Sequence, residues 1–158
     1  MKKIIIALDY VPSAEKVAET GYEIAKALNA EVILLHVVNN PAFYAAGAYS
    51  PIMGFTGFGD AFSESEDRTI HSEAKRFLEE AKKHLGDDTI QISVLDGEVE
   101  EAIKTLISTT NADMVVMGTH TRHGLDKLLM GNMAEKVLRD ITVPLVAVPT
   151  HLDEAVKR

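Results

Sequence analysis

Five short apolar segments alternate along the chain with longer segments of helical periodicity. In order they read KIIIALD, EVILLHVV, TIQISVL, DMVVMG and VPLVAVP. Four of them are almost continuously apolar, which is typical of strands that a parallel sheet buries on both faces. The third alternates apolar with polar residues, so it is predicted to be half exposed and near an edge of the sheet. This alternation of strands and helices predicts an open, doubly wound α/β sheet with right-handed crossovers.

Each of the four helical patterns places apolar residues on one face of its helix. The first helix is predicted to begin after Ser13, whose side chain would act as the N-cap. The second is predicted from about Ser63 and ends at Gly86, because glycine commonly terminates helices. The residues predicted to face the core are Val17, Gly21, Ile24 and Leu28 in the first helix, Ile70, Ala74, Phe77, Ala81 and Leu85 in the second, Ala102, Ile103, Leu106 and Ile107 in the third, and Met133, Val137 and Leu138 in the fourth.

The length of 158 residues suits one domain with one sizeable core. We predict this domain over residues 1–150, followed by a C-terminal tail at 151–158. Residues 39–62 interrupt the periodic pattern and hold six of the nine aromatic residues. The glycines and prolines of this segment argue against a regular element, so it is predicted to be a long irregular loop that serves as a lid, a contact surface or a mobile segment.

The net charge of the chain is −8, from 16 basic and 24 acidic residues. Such a surface repels nucleic-acid backbones and anionic membranes, so neither is expected as a partner. The opening MKKIIIALDY imitates a signal peptide only briefly, because its apolar run contains five residues before Asp9. With no cysteine and no long apolar stretch, the chain is expected to be cytoplasmic.

The segment that links the fourth strand to the last helix is the strongest candidate for chemistry. Ligands of open α/β sheets bind outside the C-terminal strand ends where the strand order reverses, so Asp9 and Gly118 would lie side by side if strands 1 and 4 flank that point. Asp9 could accept hydrogen bonds from a ribose or a base. Backbone N–H groups after Gly118 and at the start of the last helix could hold phosphates, with close approach at Gly131 and donors from Thr121 and Asn132. The competing interpretation is a plain strand-to-helix connection.

The other candidate groups along the chain give no defined chemistry. Residues 118–139 carry four basic and two acidic side chains, a local balance of 4 − 2 = +2 that would favour an anionic ligand. His120, His123 and Asp126 could be imagined around a metal, but solvated or phosphate-facing histidines fit a loop better, and no metal site is predicted. His36 is predicted to be a hydrogen-bonded histidine at a strand end. No catalytic residue is predicted, since neither a P-loop nor a nucleophile elbow occurs.

Several segments of the chain, taken in order, resemble the universal stress protein family. They are IIIALDYVPSAEKV, LLHVV, the DG at positions 96 and 97, ADMVVMGTH and GNMAEKVLRDITVPLVAVP. The resemblance covers essentially the whole chain. It implies a five-stranded parallel sheet of order 3-2-1-4-5 with helices on both faces, of the adenine nucleotide alpha hydrolase-like type, and with the switch point between strands 1 and 4.

The nucleotide-binding branch of this family carries the motif G-x2-G-x9-G-[ST] after strand 4, and the chain keeps a degenerate form of it. Gly118 and Gly131 match the outer glycines, whereas Thr121 replaces the middle glycine and Asn132 replaces the final Ser or Thr. The resemblance implies binding of ATP or a related nucleotide, with or without Mg²⁺ or Mn²⁺. The residues it implies for the site are Ala7, Asp9 and Val37 around adenine and ribose, then Met117, Gly118, Thr119 and Thr121 along the ribose and phosphates, completed by Gly131, Asn132 and Met133.

The resemblance also implies a homodimer that pairs through the last strand, between Val143 and Val148. An apolar edge strand such as VPLVAV independently calls for a cover or a partner. The function predicted is therefore a stress-response or regulatory protein that binds an adenine nucleotide and acts with an unknown protein partner. Two alternatives remain open: an interaction module of the same fold that binds no nucleotide, and a slow ATPase.

Overall fold

A computed structural model describes residues 2–38, 70–119 and 132–150. These residues form a five-stranded sheet and four helices. The elements, in chain order, are β1 (Lys3–Ala7), α1 (Ala14–Leu28), β2 (Glu31–Val38), α2 (Ile70–Leu85), β3 (Gln91–Asp96), α3 (Val99–Thr110), β4 (Met114–Gly118), α4 (Asn132–Asp140) and β5 (Leu145–Val148). The predicted loop at 39–62 and the predicted tail at 151–158 lie outside the described residues, as does the predicted start of the second helix near Ser63.

All strands run parallel, in the order β3-β2-β1-β4-β5. The fold class and strand order predicted above are confirmed. Strand β3 lies at one edge with its residues half exposed or exposed, as its alternating pattern predicted. Within the described residues, no helix combines the length and apolar character that crossing a bilayer requires.

The sheet separates two apolar cores, and the alternation of side chains along β1 shows how. Ile4 and Ile6 point into the core beneath α1 and α2, whereas Ile5 points into the core beneath α3 and α4. All three are almost completely buried. Because successive side chains of a strand point to opposite faces, a strand covered on both sides must be apolar at every position.

The prediction that all these helical residues face the core is wrong for two leucines. Leu28 is 41% exposed and Leu138 is 57% exposed, whereas the neighbouring Val137 is fully buried. Leu28 is the last residue of α1 and extends past the core that the helix covers. Leu138 falls on the outer side of α4, because only one narrow stripe of this short helix contacts the sheet.

The predicted cap at Ser13 is correct in position and wrong in its hydrogen bond. Helix α1 begins at Ala14, directly after Ser13, but the hydroxyl makes no capping bond. Its backbone (φ −84°, ψ 1°) departs from the extended conformation that aims an N-cap side chain at the helix. The end of α2 is as predicted: Gly86 adopts φ +71°, and its N–H donates to Lys82 O and Lys83 O.

Candidate functional site

The strand order places the ends of β1 and β4 side by side. Ala7 is paired with Leu35 on one side and with Met117 on the other. From this point α1 follows β1 onto one face of the sheet, and α4 follows β4 near the opposite face. Connections that leave adjacent strands in opposite directions open a crevice at their C-terminal ends, which is where open α/β sheets bind ligands.

Four predicted site residues belong to one apolar core. Val37 and Met117 are buried in the core beneath α3 and α4, and the half-buried Ala7 and Met133 pack against the same core. They come from β2, β4, β1 and α4 respectively. The structure therefore gathers residues from four elements on one side of the sheet, and Ala7 and Met133 keep part of their apolar surface accessible.

Asp9 lies two residues beyond the end of β1 and is half buried. Its Oδ1 accepts a hydrogen bond from the Tyr10 N–H at 2.8 Å, and its carbonyl oxygen accepts one from the Val11 N–H at 2.9 Å. These two bonds hold the turn that leads into α1.

Gly118 and Thr119 prolong the pairing of β4 with β5. Gly118 is paired with Val148, and the Thr119 N–H donates to Val148 O at 3.0 Å. The Thr119 hydroxyl accepts a long hydrogen bond, 3.4 Å, from the Thr150 N–H. The hydroxyl proton still has donor capacity. Thr119 is thus at the C-terminal end of the pair β4–β5.

An aromatic cluster lies on the opposite face of the sheet, beneath the Asp9 turn. The rings of Tyr10 and His36 are 4.4 Å apart, and that of Phe77 lies 4.7 Å from Tyr10 and 5.8 Å from His36. His36 Nδ1 is 2.9 Å from Leu8 O, and because a carbonyl only accepts, Nδ1 carries the proton of this bond. The prediction of a hydrogen-bonded histidine at this strand end is confirmed.

One carboxylate from outside residues 118–139 offsets part of the positive balance predicted for this segment. Lys136 Nζ lies 2.8 Å from Glu100 Oε1 on α3. Arg139 lies 2.8 Å from Glu135 Oε1, a carboxylate that the balance already includes. The first bond spans α3 and α4 with Glu100 buried. Counting charge along one segment missed Glu100 because it is remote in sequence. The net attraction of α4 for an anion is therefore smaller than the local count suggested.

The contact between Glu100 and Lys136 also shifts the pKa values of both groups. The hydrogen bond from Lys136 lowers the pKa of Glu100 against the opposing effect of burial. The same bond raises the pKa of Lys136. Sequence reasoning missed this pair, although Glu100 shares a helical stripe with the buried Ile103 and Ile107, a position where a lone carboxylate needs a partner.

The remaining predicted site residues cannot be placed in this geometry. Thr121 and Gly131, together with the loop histidines His120 and His123, lie outside the described residues. Asn132 is the first residue of α4, and only its backbone is described. The half of the site that would contact a base and ribose is thus described, whereas most of the half that would hold phosphates is not.

Comparison with known proteins identifies the family. Residues 1–149 match the sequence profile of the Universal stress protein family. The chain belongs to this family. Universal stress protein A homolog 1 of Coxiella burnetii is 31% identical over 147 residues, which cover 93% of this chain and 95% of that protein. A universal stress protein of Methanocaldococcus jannaschii is 29% identical over 153 residues, covering 93% and 94%.

Solved structures show the same fold at lower sequence identity. A universal stress protein family protein of Arabidopsis thaliana with AMP bound superposes with a TM-score of 0.62 at 14% identity, over 98% of this chain and 95% of that one. A universal stress protein in complex with cAMP superposes with a TM-score of 0.61 at 18% identity, over 93% and 96%. At these identities the likeness concerns the fold alone.

Proposed function

We propose that this universal stress protein binds ATP or a related adenine nucleotide at the crevice between β1 and β4, and that the bound state regulates its contacts with a protein partner in the cytoplasm. The observation that carries the proposal is the gathering of Ala7, Val37, Met117 and Met133 beside Asp9 at the strand ends. Two proteins of the same fold have AMP or cAMP bound.

The described residues suit the base and the ribose in different ways. The half-buried Ala7 and Met133 offer apolar surface to one face of an adenine, backed by the buried Val37 and Met117. The Asp9 carboxylate would accept hydrogen bonds from ribose hydroxyls. Such hydrogen bonds are stronger when the acceptor is charged than when it is neutral. Phosphates would extend from Gly118 and Thr119 towards the start of α4, where backbone N–H groups favour anions. Mg²⁺ or Mn²⁺, where present, would enter with these phosphates.

Thermal unfolding of protein stripped of copurified nucleotide tests the proposal. ATP with Mg²⁺, AMP and cAMP should each be compared with buffer. A ligand at 100 times its dissociation constant stabilises a two-state fold by about 2.7 kcal/mol. For a chain of this length the unfolding temperature should rise by roughly 5–10 °C. No shift at millimolar concentrations of all three ligands would contradict the proposal and favour a nucleotide-independent interaction module.

The variant Asp9→Asn locates the site with little change to the fold. Asparagine keeps an oxygen that can accept the Tyr10 N–H, but it loses the charge that would strengthen bonds from ribose. We expect weaker nucleotide binding. Asp113→Asn is the matched control, because Asp113 Oδ2 also accepts a backbone N–H, from Lys3 at 2.9 Å, but at the opposite ends of the strands. Equal affinities in both variants would exclude Asp9 from the site.

Gly131→Lys tests the phosphate half of the site. A long side chain at this position would occupy the space where a phosphate is proposed to approach the backbone. We expect loss of the nucleotide-dependent stabilisation in this variant. Unchanged affinity would show that the phosphates bind elsewhere. Hydrolysis of ATP above a mock purification, lost in Asp9→Asn, would favour the slow ATPase instead.

We propose also that the chain forms a homodimer through β5. This strand is at the sheet edge opposite β3, and Leu145 and Val146 are only half buried there. The Val115 N–H donates to Pro144 O and the Thr119 N–H donates to Val148 O. Because bonding alternates along a strand, Ala147 directs its N–H away from β4, towards the open edge.

Ala147→Pro therefore removes an outward N–H without removing a bond to β4. We expect sedimentation equilibrium to show a dimer for the wild type, a dimer for the control Ala147→Ser, and a shift to monomer for Ala147→Pro. A wild-type monomer at tens of micromolar, or a dimer that survives Ala147→Pro, would contradict pairing through β5.

A further inference from the structure

Three ligand-type side chains meet where the last turn of α2 crosses the first turns of α1. His84 Nε2 lies 2.8 Å from Glu19 Oε1 and 3.3 Å from Glu15 Oε1. One ligand atom from each of the three residues lies within 4.8 Å of the others. All three side chains are partly accessible, between 33% and 50%. The cluster is on the α1–α2 face of the sheet, opposite the core that contains Val37 and Met117.

A histidine ion pair accounts for only part of this arrangement. The Nε2 atom carries at most one proton, and a single N–H can point well at only one acceptor. Glu19 Oε1, at 2.8 Å, accepts the hydrogen bond from this N–H. The same N–H can therefore make only a weak hydrogen bond to the Glu15 oxygen at 3.3 Å. Two carboxylates one helical turn apart repel each other, so the cluster has excess negative charge that a cation would neutralise.

The spacing of the three atoms suits a small divalent cation. Ligand atoms bound to Zn²⁺ lie about 2.0–2.2 Å from the ion, so two ligands of a tetrahedral site are roughly 3.3–3.6 Å apart. The separation of His84 Nε2 from Glu15 Oε1, 3.3 Å, matches this value. The 2.8 Å separation from Glu19 would have to open by about half an ångström once the metal replaces the hydrogen bond, a small change for exposed side chains.

A pocket beside the cluster leaves room for further ligands of a metal. It has a volume of about 250 Å³ and is lined by Glu19, Tyr22, Glu23, Lys26, His84 and Leu85. Three protein ligands next to an open space are the arrangement in which Zn²⁺ keeps a water or an exogenous group in its fourth position. Because the chain has no cysteine, no thiolate competes for the ion.

We propose that Glu15, Glu19 and His84 form a site for a divalent transition-metal ion such as Zn²⁺. The one imidazole favours Zn²⁺ over Mg²⁺ and Ca²⁺, which prefer oxygen ligands alone. Binding would clamp α1 to the end of α2. Tyr22 already joins the same regions, since its hydroxyl donates to Asp87 Oδ2 at 2.9 Å. The bound ion therefore stabilises the packing of two helices over one core.

Zinc binding to tag-free protein stripped of nucleotide and metal tests this site. Isothermal titration with Zn²⁺ should give saturable binding of one ion per chain. His84→Ala and Glu19→Gln should each weaken that binding by at least about tenfold, since even outer-shell changes at metal sites cost about 10–100-fold. Zn²⁺ at 100 times its dissociation constant should raise the unfolding temperature by roughly 5–10 °C, and this rise should be absent in His84→Ala.

His71→Ala is the matched control for a single histidine–carboxylate pair. His71 Nε2 lies 2.6 Å from Asp96 Oδ1, and it is exposed like His84 but is not part of the three-residue cluster. We expect unchanged zinc affinity in this variant. The double variant His120→Ala/His123→Ala separates the cluster from the loop histidines. Absence of binding up to about 100 μM Zn²⁺, binding that survives Glu19→Gln and His84→Ala, or binding that is lost with the loop histidines would each overturn the proposal.

Discussion

Gly21 in the middle of α1 gives the sharpest test of the packing between helix and sheet. A Cβ atom added there would lie 2.7 Å from Ile6 Cδ1, 2.9 Å from Ile6 Cγ1 and 3.2 Å from Ile6 Cγ2. Ile6 is fully buried in the central strand β1, so its side chain has little space into which it could move. Glycine at this position allows α1 to lie directly on β1, and Gly21→Ala is the smallest change that disturbs this contact.

Two opposing effects decide the stability of Gly21→Ala. In an exposed helix interior, replacing glycine by alanine stabilises by about 0.8–1 kcal/mol. Overpacking a well-filled core costs about 1–3 kcal/mol. Contacts below 3 Å with two atoms of one buried side chain favour the cost, so we expect net destabilisation of up to about 2 kcal/mol. The unfolding temperature would fall by about 2–4 °C per kcal/mol.

Urea unfolding of two sets of variants separates these effects. Glu23 is exposed on the same helix, so the difference between Glu23→Ala and Glu23→Gly measures the propensity effect alone. Ile6→Val removes the Cδ1 atom, so Gly21→Ala should cost less in that background than in the wild type. A Gly21→Ala variant more stable than wild type by the full propensity difference would refute the reasoning. So would additivity of the two changes within about 0.5 kcal/mol.

Three further changes test interactions elsewhere in the fold. Glu100→Gln should lower the urea midpoint at neutral pH. Lys136 holds the pKa of Glu100 below the ordinary glutamate value of about 4.3, so the stability difference from wild type should disappear as the pH falls through the pKa of Glu100. A difference that stays constant down to about pH 2 would contradict the pairing. Tyr22→Phe should lower the free energy of unfolding by about 0.5–1.5 kcal/mol in urea at neutral pH, because it removes the hydrogen bond to Asp87. If Asp87 is the partner, Tyr22→Phe should cost no further stability in the background of Asp87→Ala. Phe77→Ala should destabilise by about 3–5 kcal/mol in the same assay, because the ring is fully buried, and a loss below 1 kcal/mol would show that the core refills the space.

The fold was predictable because its main signals are periodic and local. The unbroken apolar character of the first strand required burial on both faces, and the structure buries Ile4 and Ile6 on one face and Ile5 on the other. The alternation in the third strand required one exposed face, and β3 is an edge strand. Helical spacing identified the buried stripe of α3, including Ile103.

The same reasoning was wrong where the outcome depends on how far a neighbouring element extends. Helical spacing shows which residues share a face, but it does not show where the opposing core stops. Leu28 and Leu138 are in helical stripes whose other predicted members are buried or half buried, and both are exposed. Ser13 has the residue type of a cap and the correct position, but the turn from Asp9 gives its backbone a conformation without the capping bond.

For the candidate site, residue identities came from motifs and strand ends, whereas relations between them came from topology. Once the order of the strands is known, Ala7 and Met117 must be neighbours, and the structure pairs them. The contribution of Met133 depends on α4 packing on the same core, which spacing along the chain does not specify. The roles of these residues in nucleotide binding stay predictions for the experiments above.

The sequence by itself determined the alternation of strands and helices, the faces that most helices bury, and the strand ends at which ligand-binding residues are expected. These depend on interactions within a few residues, where the period of the backbone decides which side chains point together. Only the tertiary structure decided that Lys136 meets Glu100, and that Glu15 and Glu19 meet His84. Such partners are remote along the chain and come into contact only after the sheet has set the positions of the helices that carry them.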